Sequence, residues 1–397
     1  MNKLSDRINA LSESETIAMA RRSRELIAKG IDVINLSLGE PDFKTPDVIK
    51  QAAKKAIDDN FSYYTHVSGY LELREAVSKK FKRDNNLDYT ADQIVVSTGA
   101  KQSIANVVLA LINPGDEVIV PAPYWVSYIE IIKLAGGKAV IIPTKLEDDF
   151  KLNPEQLKNA ITPKTRLFIY STPCNPTGSV YTKEELKDLA DVLASANDVY
   201  IISDEIYEHI NFIGKHESLA QFDNVFDKVI TINGLSKGFA MTGWRVGFMA
   251  APLWIAKACD KMQGQFTSAT CSIAQKAAQA AVELDPSTTK DMKDAFLRRR
   301  DLLLDLLKDI PGIKTNVPQG AFYVFPDVTY YFGKQYNGTI INNAPELCMY
   351  LLDNANVAVV PGDAFGAPDY IRIAYATSEN KLRDAVSRIK AALEKLT

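Results

Sequence analysis

Lys237 lies in Asn-Gly-Leu-Ser-Lys-Gly (233–238), directly after the β-rich run Val229 to Ile232, among small residues that leave its amine open to a bulky ligand. A lysine that is buried or flanked by cations gives up its proton and becomes a nucleophile able to form a Schiff base with a carbonyl. Ser236 sets a hydroxyl beside it. Eight residues on, Arg245 in Met-Thr-Gly-Trp-Arg-Val-Gly offers a guanidinium fork suited to a phosphate. A second phosphate device is Ser-Thr-Gly-Ala-Lys-Gln-Ser (97–103), where the chain turns through Gly99 into a helix and exposes the amides of Gly99, Ala100 and Lys101 at its positive end.

Asp204 and Tyr207 follow the apolar run Val-Tyr-Ile-Ile-Ser, 33 residues before Lys237 in the case of the aspartate. A carboxylate there suits a protonated ring nitrogen, keeping a heteroaromatic cofactor an electron sink, and the tyrosine suits a ring oxygen. Asn175 precedes Pro176 in Ser-Thr-Pro-Cys-Asn-Pro-Thr-Gly, so its backbone is held extended and its amide is free to face the same oxygen. Each residue alone has a bland reading: a solvated lysine, an ion-paired arginine, a helix-capping aspartate, a plain turn. Their order and spacing together favour one site. Gly234 to Gly238 also spells Gly-x-Ser-x-Gly, but a hydrolase elbow needs a later histidine and none follows His216. Dinucleotide, nucleotide-triphosphate and zinc-protease motifs are missing from the sequence.

The elements that must position these residues alternate from about residue 90 to 250. Strand-like runs fall at Ile94 to Val96, Glu117 to Val120, Ala139 to Ile142, Arg166 to Tyr170, Val199 to Ser203, Val229 to Ile232 and Arg245 to Met249, separated by helical ones. Several are apolar without alternation, as strands buried on both faces are. The predicted architecture is α/β, a large domain over 46–285 with a mostly parallel seven-stranded sheet flanked by helices. Its ligand loops should converge beyond the strand ends. After about 285 a charged helix precedes strand-like Gly-Ala-Phe-Tyr-Val-Phe-Pro and Tyr-Ile-Arg-Ile-Ala-Tyr, which read as a smaller α+β domain. Residues 1–45, with a helix over Glu15 to Lys29, are expected to join residues 286–397 in it.

Composition narrows the chemistry. Apolar residues at 46% and charged ones at 24% describe an ordinary globular chain. The net charge of −3 is spread evenly, which argues against nucleic-acid and membrane partners and for small molecules. Four cysteines without a Cys-x-x-Cys pair predict no metal site and a reducing compartment. With no apolar leader in Met-Asn-Lys-Leu-Ser-Asp, the expected location is cytoplasmic.

Taken in order, Leu-Gly-Glu-Pro-Asp-Phe (38–43), Tyr-Trp-Val-Ser-Tyr (124–128), Asn-Pro-Thr-Gly (175–178), Asp-Glu-Ile-Tyr (204–207), Ser-Lys followed by Trp-Arg-Val-Gly (236–247) and Ile-Arg-Ile-Ala-Tyr-Ala-Thr-Ser (371–378) span nearly the whole chain. The sequence resembles the class I, fold-type I aminotransferases that use pyridoxal 5'-phosphate, and among them the bacterial gamma-branch aspartate aminotransferases. The resemblance implies that Lys237 holds the cofactor and shuttles the proton, that Asp204 meets the pyridinium nitrogen, and that Asn175 and Tyr207 hold the phenolic oxygen. Gly99, Ala100, Lys101, Ser236 and Arg245 would surround the phosphate. Trp125 would stack on the ring and touch substrate, with Asn175 also in reach of it. Arg372 and the amide of Gly39 would clamp the substrate's α-carboxylate. Tyr64 would reach the phosphate of the neighbouring subunit, implying a homodimer with composite sites.

The implied reaction moves the amino group of L-aspartate to 2-oxoglutarate in a ping-pong exchange. Prephenate or aromatic amino acids are alternative substrates, and a lyase on the same scaffold is an alternative reaction. For a side-chain carboxylate the candidates are Lys101, Thr16 and Ser14. A regulator carrying a DNA-binding module ahead of the same domain is disfavoured, because the family pattern begins near residue 15.

Overall fold

The computed structural model describes residues 4–12 and 15–397; Ser14 and the side chain of Thr16, two of the candidates for a distal carboxylate, lie outside what it describes. Seven strands form the main sheet: β1 (Ile94–Ser97), β2 (Glu117–Ala122), β3 (Lys138–Pro143), β4 (Thr165–Ser171), β5 (Tyr200–Asp204), β6 (Val229–Gly234) and β7 (Gly247–Ala250). Their spatial order is β1-β7-β6-β5-β4-β2-β3, with β7 antiparallel to both neighbours and the remaining pairs parallel.

Successive side chains of a strand point to opposite faces, and here both faces are covered. Val95, Val118, Val120, Leu167, Ile169, Ile202, Ile230 and Met249 enter one buried cluster. Their neighbours Ile94, Val96, Ile119, Phe168, Ile201, Val229 and Phe248 enter the cluster on the other side. That two-sided burial explains the unbroken apolar runs in the sequence. The outer strand β3 is the exception: none of its positions is fully buried and it begins with Lys138, as suits an edge.

Helices cover the sheet by their own period. In α1 (Ala100–Leu111), Ile104, Val107, Val108 and Leu111 are buried, the i, i+3, i+4, i+7 stripe of a helix lying on a core. The short helix α2 (Ser127–Leu134) starts two residues after Trp125. Helices α3 (Leu253–Phe266) and α4 (Ser272–Glu283) follow β7.

A third buried cluster joins Met19, Leu26 and Leu36 to residues between Met292 and Leu396. It holds α5 (Lys290–Lys308) against a three-stranded antiparallel sheet of β8 (Tyr323–Val324), β9 (Val360–Pro361) and β10 (Ile371–Ala374), with β10 in the middle. Residues Ile34–Asn35 pair in parallel with Val357–Ala358, stitching the first segment of the chain to the last.

One expected element differs. The run Arg245 to Met249 was predicted to be extended throughout, yet β7 starts only at Gly247, and Arg245 caps a short helical turn (Thr242–Trp244) with φ 55° in the left-handed region. The turn brings the Arg245 guanidinium over Gly99, where a Cβ would sit 2.4 Å from Nη2. At Gly247 a Cβ would strike the backbone nitrogen of Ala100 at 2.2 Å, so the strand and the start of α1 touch backbone to backbone. An extended Arg245 would aim elsewhere. The strand after residue 198 also begins one position later than predicted, at Tyr200.

Candidate active site

The ends of β1, β2, β4, β5 and β6 open into one cavity of about 270 Å³. Ala100, Lys101, Trp125, Asn175, Asp204, Tyr207, Ser236, Lys237 and Arg245 line it from the main sheet, and Gly39 and Arg372 line it from the other side. These are eleven of the thirteen residues picked out by sequence. Gly99 lies under the Arg245 guanidinium as the residue that caps α1, with φ 84°, a conformation glycine adopts without strain. Tyr64 does not line the cavity; its side chain stands 98% exposed on the surface.

Lys237 is partly buried just past β6, with its Nζ donating to the carbonyl of Gly39. Burial, reinforced by the positive charges of Arg372 and Arg245, brings its pKa down to about 8, with Glu40 and Asp204 opposing. Asp204 ends β5 and is buried. Its Oδ2 accepts a 2.6 Å hydrogen bond from the Tyr128 hydroxyl, and its Oδ1 accepts from the Ile206 amide at 3.3 Å. Burial pushes this carboxyl up to about 6, while the Tyr128 hydrogen bond works in the opposite direction. The cavity thus has an amine made easy to deprotonate and an acid made hard to ionise without a cationic partner.

Arg372 sits in the centre of β10 and is only 2% exposed. Its Nη1 donates to Asn175 Oδ1 at 3.0 Å and its Nη2 to the carbonyl of Ser37 at 2.6 Å, so β10, the β4 loop and the first segment meet at one guanidinium. The rings of Tyr323 and Phe365 lie 4.6 and 4.9 Å from its Cζ. Its Nε is buried without a hydrogen-bond partner. A desolvated charge with an idle donor favours an anion, above all a carboxylate that takes two parallel hydrogen bonds.

At the far end, the N-terminus of α1, Arg245 and Ser236 form a cup of donors and positive charge suited to an anion. Lys101 has its Nζ 5.0 Å from the Trp125 ring, and its pKa is lowered by burial and by Arg245. The Asn175–Pro176 peptide is cis.

Of the eight lining residues that the sequence did not single out, four bear on the polar contacts of the site. Tyr128 and Ser171 flank Asp204, Tyr323 shares a 2.7 Å hydrogen bond with the Tyr207 hydroxyl, and Thr242 donates to Glu40. Tyr128 stands one helical turn from Trp125, and its ring packs edge-on against it at 5.4 Å. That three-residue spacing was the one signal available for it.

Residues 31–389 match the family described as aminotransferase class I and II. The chain belongs to that family. It is 48% identical over 395 residues to a bifunctional aspartate aminotransferase and glutamate/aspartate-prephenate aminotransferase of Petunia hybrida, covering 98% of this chain and 82% of the relative. It is 46% identical to an aspartate/prephenate aminotransferase of Cereibacter sphaeroides, covering 98% of both. Among solved structures, an aspartate aminotransferase from Rhizobium meliloti superposes with a TM-score of 0.96 at 40% identity over the full length of both chains.

The fold is accordingly that of the fold-type I enzymes, and the cofactor of this aminotransferase is pyridoxal 5'-phosphate. The cavity fits that group. It offers an anion cup at one end, a depressed-pKa lysine in the middle and a buried acid whose ionisation awaits a cation. Among the described residues no helix is long and apolar enough to cross a membrane, and no cluster of His, Cys, Asp and Glu could hold a metal ion.

Proposed function

We propose that this aminotransferase exchanges the amino group between L-aspartate and 2-oxoglutarate, with Lys237 as its catalytic residue. The observation that carries the reading is the pairing, in one cavity, of a lysine amine with pKa about 8 and a buried arginine with an idle Nε. In this reading Arg372 takes the substrate's α-carboxylate, with Asn175 orienting the guanidinium and the Gly39 backbone closing over the same end.

Bound pyridoxal phosphate supplies an electron sink for the charge left at the substrate's α-carbon. Asp204 holds a proton on the ring nitrogen, and Tyr128 fixes that carboxylate in place. Tyr207, kept protonated by burial and steered by Tyr323, joins Asn175 at the ring oxygen. Trp125 covers the ring face. Gly99, Ala100, Lys101, Ser236 and Arg245 hold the phosphate. Lys237 Nζ, neutral at mildly alkaline pH, would take the proton from the substrate's α-carbon and deliver it to the carbon on the other side of the substrate nitrogen, as a general base within reach of both atoms can.

Lys101 is the described candidate for aspartate's distal carboxylate, supported by its place on the cavity wall beside Trp125. Prephenate is a second amino acceptor in this proposal, favoured by the names of the Petunia and Cereibacter relatives. The proposal extends to domains of 46–285 and 1–45 with 286–397, in line with the separate buried clusters. It also includes a homodimer in which Tyr64 serves the neighbouring site, supported by its full exposure away from its own cavity, and a cytoplasmic location, with which four cysteines not joined in disulfides agree.

The test is an absorbance spectrum of the loaded enzyme before and after aspartate, then after 2-oxoglutarate. Aspartate should remove the visible band and 2-oxoglutarate restore it. A band untouched by aspartate but removed by an aromatic donor would refute the acidic substrate.

A further inference from the structure

Two residues before Gly99, the strand carrying the phosphate turn is gripped by a side chain remote from the chemistry. Gln263 lies on the buried stripe of α3, between Cys259 and the helix end, and is fully buried. A carboxamide among apolar neighbours is retained only where its hydrogen bonds are made. Here all are made: Oε1 accepts from Ser97 Oγ at 2.7 Å and from Asn106 Nδ2 at 3.1 Å, and Nε2 donates to the carbonyls of Val67 and Val96, both at 2.8 Å.

These four partners fall on two functional pieces. Val96, Ser97 and Asn106 belong to β1 and α1, which flank the turn at Gly99 to Lys101. Val67 belongs to the loop 61–70, which carries Tyr64. The end of α3 repeats the hold on the turn, because the Thr267 hydroxyl accepts from Gln102 Nε2 at 2.6 Å while Gln102 Oε1 accepts from the Thr98 amide at 2.6 Å.

The Tyr64 loop is otherwise braced by α4. Ser272 donates to the carbonyl of Phe61 at 2.5 Å, and Gln275 accepts from the Tyr70 amide at 2.8 Å and donates to Thr65 at 3.1 Å. The Lys276 ammonium sits between the Phe61 and Tyr70 rings, 4.7 and 4.5 Å from their centroids. The loop is a stiff platform whose tip, Tyr63 and Tyr64, projects into solvent. Stiffness lowers the ordering cost when such a tip meets its ligand.

We propose that Gln263 is a positioning residue for the cofactor phosphate, one carboxamide fixing both the phosphate turn of its own site and the Tyr64 loop that serves the other site of the dimer. This rests on the reading of Tyr64 given above. Only a group with two donors and two acceptors spans both pieces, which an aliphatic side chain of the same length would not. The two phosphate cups of a dimer therefore share a joint in each subunit.

Gln263→Met keeps the length of the side chain and removes all four hydrogen bonds. Titrating the dimeric apoenzyme with pyridoxal phosphate should show affinity weakened by roughly ten-fold or more, with kcat at saturating cofactor unchanged. Tyr64→Phe should weaken affinity in the wild-type background but add less in the Gln263→Met background, because the loop has already lost its register. Wild-type cofactor affinity in Gln263→Met, or full additivity of the two substitutions, overturns the inference. Wild-type affinity in Tyr64→Phe alone overturns the reading of Tyr64 and the link with it, whatever Gln263→Met does. Should Gln263→Met fail to assemble, Gln263→Glu keeps the acceptor for Ser97 and Asn106 and sets an oxygen that repels the carbonyls of Val67 and Val96 in place of their donor. Hydrogen exchange of amides 62–70 in that holoenzyme must then accelerate, and unchanged protection overturns the inference.

Discussion

Asp204 makes the apoenzyme unstable in a way that can be titrated. Its carboxyl is buried, with a pKa of about 6 against 3.8 for an ordinary aspartate. A raised folded-state pKa means that the folded chain binds the proton more tightly than the unfolded one. The associated stability is fully present below pH 3.8 and is lost as pH rises through 6. The shift corresponds to about 3 kcal/mol between these limits. Asp204→Asn is close to isosteric, still accepts the Tyr128 hydroxyl, and carries no charge. Denaturant unfolding of the two apoproteins at equal concentration, from pH 4 to pH 7.5, should show the asparagine variant gaining on the wild type by about 2.4 kcal/mol, the part of that total which falls inside the window. The same variant should bind pyridoxal phosphate poorly and turn over slowly, a site residue that costs stability until its partner arrives. Two stability curves that run parallel from pH 4 to pH 7.5 would show that Asp204 is not held against its ionisation, and the reasoning would fail.

Three further outcomes follow from the same geometry. Apoenzyme should capture pyridoxal phosphate faster as pH rises through about 8, since the neutral Lys237 amine is the nucleophile; Lys237→Ala should abolish both capture through the lysine and turnover, and a flat pH profile would contradict the lowered pKa. Arg372→Ala should weaken productive binding of amino acids by about 2–5 kcal/mol, read as kcat/KM, because a buried charge partner is removed; an unchanged kcat/KM would place the α-carboxylate elsewhere. Lys101→Met should raise KM for aspartate by about ten-fold or more while leaving an aromatic donor little affected, an asymmetry expected of a distal-carboxylate contact; equal losses for both donors would assign Lys101 to the phosphate alone.

The sheet could be read from the sequence because burial on both faces leaves continuous apolar runs, and the turn residues just beyond them mark where ligands gather. Lys237, Asp204 and Asn175 could be found because each follows such a run directly. The misplaced start of β7 has a local cause: a left-handed Arg245 looks like any other strand residue until its guanidinium is seen over Gly99. Tyr128 and Tyr323 escaped for a non-local reason. Their partners Asp204 and Tyr207 lie 76 and 116 positions away, and no periodicity encodes a hydrogen bond at that range. Gln263 has a faint signature, an amide on an apolar helical stripe, but its partners are invisible without the fold.

The guanidinium that joins Arg372 to the carbonyl of Ser37 closes a contact across 335 positions of sequence. A ribosome adding about 5–20 residues per second needs roughly 17 to 67 s to traverse that interval. For most of that time Ile34–Asn35 lacks Val357–Ala358, the strand it pairs with. The main sheet, complete once residue 250 has emerged, is free to form first. The contact at Arg372 thus forms well after the sheet can, and chains truncated before residue 357 should show a formed sheet with a leading segment that lacks its strand partner and engages chaperones.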